Sequence, residues 1–84
     1  MYELLIENKA EKEINDLPKN IANQIIKQIL KLKETPRPSN CRKIIGSKNA
    51  YRIRVRDYRI IYEIIDKQKE VRILKVKHRR EVYR

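Results

Sequence analysis

Apolar side chains recur along this chain with two different periods, and the change of period divides it into a helical half and a strand half. Tyr2-Glu3-Leu4-Leu5-Ile6 is a short, largely apolar run that predicts a first strand. From Lys9 to Leu17, Ala10, Ile14 and Leu17 fall on one side at helical spacing, with Asn8 placed to cap the first turn. Pro18 interrupts the pattern, and proline suits the start of a helix. Beyond it Ile21, Ile25, Ile29 and Leu32 repeat one face, widened by Ala22, Ile26 and Leu30, which predicts a longer helix over 19–33. The two helices make an αα-hairpin joined at Pro18. Glu34 to Ser39, carrying Pro36 and Pro38, ends the helical half in an extended loop.

The second half alternates in twos. Arg42-Lys43-Ile44-Ile45 predicts a short strand before the turn-forming Gly46-Ser47-Lys48-Asn49. Tyr51 to Val55 alternates strictly, and Tyr58 to Ile65 and Val71 to Val76 are β-branched and aromatic runs. Asp66-Lys67-Gln68-Lys69 is the polar loop between the last two. The order β-α-α-β-β-β-β predicts an α+β fold. In it the N-terminal strand and αα-hairpin pack on a mostly antiparallel sheet of four to five strands.

Length changes this picture only by limiting it: 84 residues make a single domain, 1–84. No apolar run approaches the roughly 20 residues of a membrane span. Met1-Tyr2-Glu3-Leu4 lacks the basic and long apolar regions of a signal peptide, so the expected compartment is the cytoplasm, with no membrane partner. One cysteine, Cys41, and one histidine exclude an internal disulfide and the usual metal-ligand clusters, and no metal or cofactor is expected. The lone glycine, Gly46, excludes a phosphate loop or dinucleotide fingerprint.

Charge changes the picture more. Lys and Arg number 22 against 11 Asp and Glu, a formal net charge of +11. Residues 1–41 hold seven basic and six acidic side chains, whereas residues 42–84 hold fifteen and five. The excess therefore lies on the strands and the tail. A field of that kind attracts a polyanion, either nucleic acid or an acidic protein segment.

Register concentrates it. If Arg56-Asp57 is a two-residue turn, Val55 pairs with Tyr58, Arg54 with Arg59, Ile53 with Ile60 and Arg52 with Ile61. Paired side chains share a face. Tyr51, Ile53, Val55, Tyr58, Ile60 and Tyr62 then face the helices, and Arg52, Arg54, Arg59, Ile61 and Glu63 the other side. Arg56-Asp57 lacks the glycine or asparagine such turns prefer, so a longer loop would move the pairing by one residue. Two readings of the arginine face stand at this point: a solvated basic surface, and a phosphate-binding concavity built from bidentate donors that stay charged.

Tyr51-Arg52-Ile53-Arg54-Val55, Asp57-Tyr58-Arg59-Ile60-Ile61-Tyr62-Glu63 and the ending His78-Arg79-Arg80-Glu81-Val82-Tyr83-Arg84 resemble the RelE/ParE toxin superfamily, closest to its RelE branch. The resemblance covers nearly the whole chain. It implies a toxin of a type II toxin-antitoxin system, a metal-independent endoribonuclease that cuts messenger RNA on the ribosome. The 2′-hydroxyl attacks its own 3′ phosphate, leaving a 2′,3′-cyclic phosphate and a 5′-hydroxyl. The partners implied are a cognate antitoxin protein, the ribosome and mRNA, with operator DNA reached only through the antitoxin.

Carried over residue by residue, the catalytic set is Arg52, Arg54, Arg59, Arg79 and Tyr83, with Lys43, Lys77, His78 and Arg80 as RNA-binding groups. Two departures stand out: well-known members carry lysines where this chain has Arg52 and Arg54, and a hairpin glycine common in the family is Arg56 here. Arginine hardly deprotonates, which removes Arg52 and Arg54 as general bases and leaves proton transfer to Tyr83, His78 or the ribosome. The superfamily also contains ParE-like poisons of DNA gyrase without nuclease activity, and a degenerate member would bind only its antitoxin or operator DNA.

Overall fold

A computed structural model describes residues 1–82. Its elements are β1 (Glu3–Ile6), α1 (Asn8–Asn15), α2 (Lys19–Lys31), β2 (Arg42–Lys43), β3 (Ala50–Val55), β4 (Tyr58–Ile65), β5 (Glu70–His78) and a final turn of helix, α3 (Arg79–Val82). The strands form a five-stranded sheet in the order β1-β5-β4-β3-β2. Only β1 and β5 run parallel; every other pair is antiparallel. β1 and β2 thus sit on opposite edges, and the αα-hairpin that joins them crosses one face of the sheet. The α+β layout is the one expected.

That crossing makes the core. Ala10 and Ile14 of α1, Ile25 and Ile29 of α2, and Leu32 just after it are buried against Ile53, Val55, Ile60, Tyr62, Ile64, Val71, Ile73 and Val76. The helical stripe and the strand alternation are therefore two sides of one apolar layer, whose burial is the main force holding so small a fold together.

Boundaries differ from expectation where tertiary bonds intervene. Glu7, not Asn8, is the N-cap, with no side-chain cap bond. The Glu7 N–H still donates to the Ile73 carbonyl at 2.9 Å, so the chain leaves the sheet and enters the helix without a spacer. α2 stops at Lys31, two residues short of the expected end. β2 is cut to two residues because Gly46, at φ +88, turns the chain after Ile44, and Ser47 Oγ bonds the Ile44 carbonyl at 2.8 Å. Ile45 is left fully exposed.

One irregularity sets the faces of β5. Ile61 pairs with Lys75 but Tyr62 pairs with Ile73, so Leu74 is an extra residue, a β-bulge. Strict alternation from Val71 and Ile73 would turn Lys75 and Lys77 into the core. The bulge instead buries Val76 and sends both lysines to the helix-free side.

Candidate nucleic-acid interface

The β3–β4 register is the one the arginine pattern requires. Val55 pairs with Tyr58, Arg54 with Arg59, Ile53 with Ile60 and Arg52 with Ile61, across the two-residue turn at Arg56-Asp57. Arg56 takes φ +56 to make that turn. A positive φ at the first central residue is a role usually given to glycine, so the family's glycine is replaced here at a cost in backbone strain.

Ladder partners extend the cationic face across the sheet. One row runs Arg54, Arg59, Lys77; the next runs Arg42, Arg52, Ile61, Lys75. Arg59 is buried, only 5% exposed, a rare state for a guanidinium. Asn40, Arg42, Arg52 and Arg54 line an open pocket of about 310 Å³. A larger hollow of about 530 Å³ lies beside Met1–Leu5 and Lys33, but none of the arginines of the cationic face is among the described residues that line it. The chemistry therefore points to the smaller pocket.

Arg42 is the residue the sequence reading missed as a site residue. Its signal was the register: as the partner of Arg52 it must share that face. Its Nη1 donates to the carbonyls of Cys41 at 2.9 Å and Ser39 at 3.4 Å, which holds the guanidinium in place.

Other expected RNA contacts fall elsewhere. Lys43 is partnered with Tyr51, so alternation turns it to the helix-packed side, away from Arg42 and Arg52. His78 is partnered with Tyr58 on that same side and meets the Tyr58 ring edge-on at 5.2 Å between centroids. Its Nδ1 accepts the Arg80 N–H at 3.2 Å, so His78 serves to anchor the first turn of α3. Lys77 lies in the arginine row, but its ammonium is ion-paired with Glu13 at the sheet edge and approaches Glu81 at 3.7 Å. The Glu13 carboxylate, as first cause, raises the Lys77 pKa.

Arg79 begins α3 beside the cluster, its N–H donating to the Asp57 carbonyl of the β3–β4 turn at 2.7 Å. Arg80 follows it, exposed. Tyr83 lies outside the described residues. Among the described residues no group of three His, Cys, Asp or Glu side chains is placed to hold a metal ion, and no helix is long and apolar enough to cross a membrane.

A second polar network fixes the loop that carries Asn40. Arg37 Nη2 pairs with Asp66 Oδ2 at 2.9 Å, Tyr2 donates to Asp66 Oδ1 at 2.7 Å, and Arg37 Nε donates to the Tyr51 hydroxyl at 3.2 Å. The guanidinium also lies over the Tyr51 ring, 5.3 Å from its centroid. Tyr62, stacked on Tyr51, donates from the core to the Pro36 carbonyl at 2.8 Å. These bonds tie the proline loop to β1, β3, β4 and the β4–β5 turn.

Comparison with known proteins adds three findings. Residues 4–83 match the family model described as the ParE toxin of type II toxin-antitoxin systems. The mRNA interferase toxin RelE of Escherichia coli (strain K12) is 31% identical over 86 residues, spanning 98% of this chain and 90% of that protein. Crystal structures agree. The isolated E. coli RelE toxin superposes with a TM-score of 0.82 at 31% identity, covering 99% of this chain and 92% of that one. The toxin of the archaeal RelE–RelB complex from Pyrococcus horikoshii OT3 gives 0.83 at 31% identity, covering 93% and 94%.

Proposed function

The chain belongs to the RelE/ParE toxin superfamily, and from that premise we propose that it is the toxin of a type II toxin-antitoxin system and an mRNA interferase that cuts messenger RNA on the ribosome. The observation that carries the reading is the pocket in which Arg52 and Arg54 meet on the helix-free face, with Arg59 in the next strand opposite Arg54. The E. coli relative is named as an mRNA interferase, which favours RNA cleavage over gyrase poisoning.

The reaction breaks the P–O5′ bond as the ribose 2′-oxygen attacks, and the phosphate passes through a state of higher negative charge. Arg52, Arg54 and Arg59 hold that phosphate and stabilise the added charge, with Arg79 approaching from the β3–β4 turn. Arginines suit this role because their charge is permanent and their donors are paired. For the same reason they do not take the 2′-hydroxyl proton. With His78 on the opposite face, proton transfer falls to Tyr83 or to groups on the ribosome.

The protein partner is a cognate antitoxin, as in the intact E. coli RelBE toxin-antitoxin complex. A net charge of +11 calls for an antitoxin segment rich in acids, flexible until it binds.

Primer extension on a translated message tests the activity. Induction of the wild type produces discrete, codon-phased cuts, and Arg79→Ala removes most of them. Growth arrest without phased cuts would instead indicate gyrase poisoning.

A further inference from the structure

The arginine pocket has a side that the phosphate chemistry does not use. We propose that Asn40 and Arg42 form a subsite for the nucleotide next to the scissile phosphate, Arg42 holding its phosphate and Asn40 reading its base; this rests on the ribonuclease reading above.

Placement comes first. Arg42 is one strand out from Arg52, about 5 Å across the ladder, while Arg54 lies about 7 Å along β3 from Arg52. Arg52 and Arg54 belong with Arg59 at the centre of the sheet. Arg42 flanks them on the side away from Arg59 and α3. β2 is the free edge of the sheet, so a nucleic-acid strand leaving the central arginines on that side meets no further strand. It meets Arg42 and Asn40.

Chemistry comes second. Arg42 is the cross-strand partner of Arg52, so the two guanidinium groups share one face. Arg42 binds the Cys41 and Ser39 carbonyls through Nη1. Those two bonds hold the guanidinium in place at the rim of the pocket it lines with Arg52 and Arg54. A phosphate meets a group that has already lost its freedom, which lowers the entropic cost of binding. Among the described residues, Asn40 is the one uncharged side chain lining the pocket. Its amide offers a donor and an acceptor together, the combination that discriminates one base edge from another in an unstacked RNA strand. The loop bearing Asn40 is held by Arg37, Asp66 and Tyr62 rather than left loose.

The two roles separate experimentally, because a phosphate contact weakens all sequences alike and a base contact does not. Single-turnover cleavage is measured on ribosomes programmed with a panel of A-site codons, as a function of toxin concentration. Arg42→Ala raises the half-saturating concentration on the order of tenfold to a hundredfold, evenly across codons, and Arg42→Lys recovers part of the loss. Asn40→Ala keeps near-wild-type saturation on the best codons but compresses the differences between codons. Thermal melts of the variants establish that each is folded; Arg42→Gln replaces Arg42→Ala if that melt is abnormal. Saturation at wild-type concentrations for the folded Arg42 variant, or an unaltered codon profile for Asn40→Ala, overturns the subsite while leaving the nuclease intact. If the wild type itself makes no cuts, the ribonuclease reading fails and takes the subsite with it.

Discussion

Arg54 and Arg59 stand directly opposite one another in the β3–β4 ladder, with their side chains on the same face of the sheet. Like charges in that position repel, at roughly 0.2–1 kcal/mol for a cross-strand pair. In the proposed function the same pairing concentrates charge where the phosphate would be held. Arg54, the exposed member, therefore separates the two effects. Arg54→Gln is expected to raise the melting temperature by a few degrees at low salt, with the gain fading as salt screens the pair. The same variant loses about 10²–10³ in cleavage rate. A melt unchanged at every ionic strength contradicts the repulsion argument.

Arg56 holds φ +56 in a turn that glycine would enter without strain. Arg56→Gly is expected to stabilise the protein by about 0.5–1 kcal/mol, read from urea unfolding. Cleavage stays near the wild-type rate, since the β3–β4 register is kept.

Asp66 is held below the usual carboxylate range by its hydrogen bond from Arg37 and then by that from Tyr2. A folded pKa below the unfolded one contributes stability that is present above about pH 4 and is lost as pH falls through the folded value. Urea midpoints followed from pH 6 to pH 2 (roughly the span of carboxylate titration) should therefore fall. Asp66→Asn flattens part of that decline. Because the network also holds the loop bearing Asn40, this variant tests whether the latch tunes the pocket as well as the fold.

Tyr62 shows the opposite sign. Burial first, and Cys41 beside it next, push its phenol well above the ordinary value near 10. Its stabilisation is complete below about pH 10 and is lost as pH rises through the folded pKa. Tyr62→Phe removes the bond to the Pro36 carbonyl, at a cost of about 1 kcal/mol at neutral pH, and removes this part of the alkaline decline. Unfolding midpoints between neutral and strongly alkaline pH check both effects.

Glu13 closes the free edge of β5. Its Oε1 accepts the Val76 N–H at 2.8 Å while its other oxygen pairs with Lys77. Glu13→Ala leaves a half-buried N–H without a partner and costs about 1–3 kcal/mol in chemical denaturation. Glu13→Gln keeps an acceptor for Val76 and restores much of that loss.

Much of this molecule was written in local pattern. The stripe Ile21, Ile25, Ile29 and Leu32 specifies a helix face, and the alternation from Tyr51 to Tyr62 specifies the buried side of two strands, while the structure settles the two-residue turn that fixes their register. The convergence of Arg52, Arg54 and Arg59 on one face follows from that alternation. Tertiary structure decided the rest. The parallel pairing of β1 with β5 joins segments more than sixty residues apart, and β2 takes its place on the far edge only once the αα-hairpin has crossed the sheet. Those placements bring Arg42 into the pocket, turn Lys43 and His78 to the other face, and put Glu13 within reach of Lys77. The bulge at Leu74 reverses the parity of β5. Local periodicity records which side of its own strand a residue occupies. Which strand lies beside it depends on burial shared between distant segments, and no window of sequence contains both.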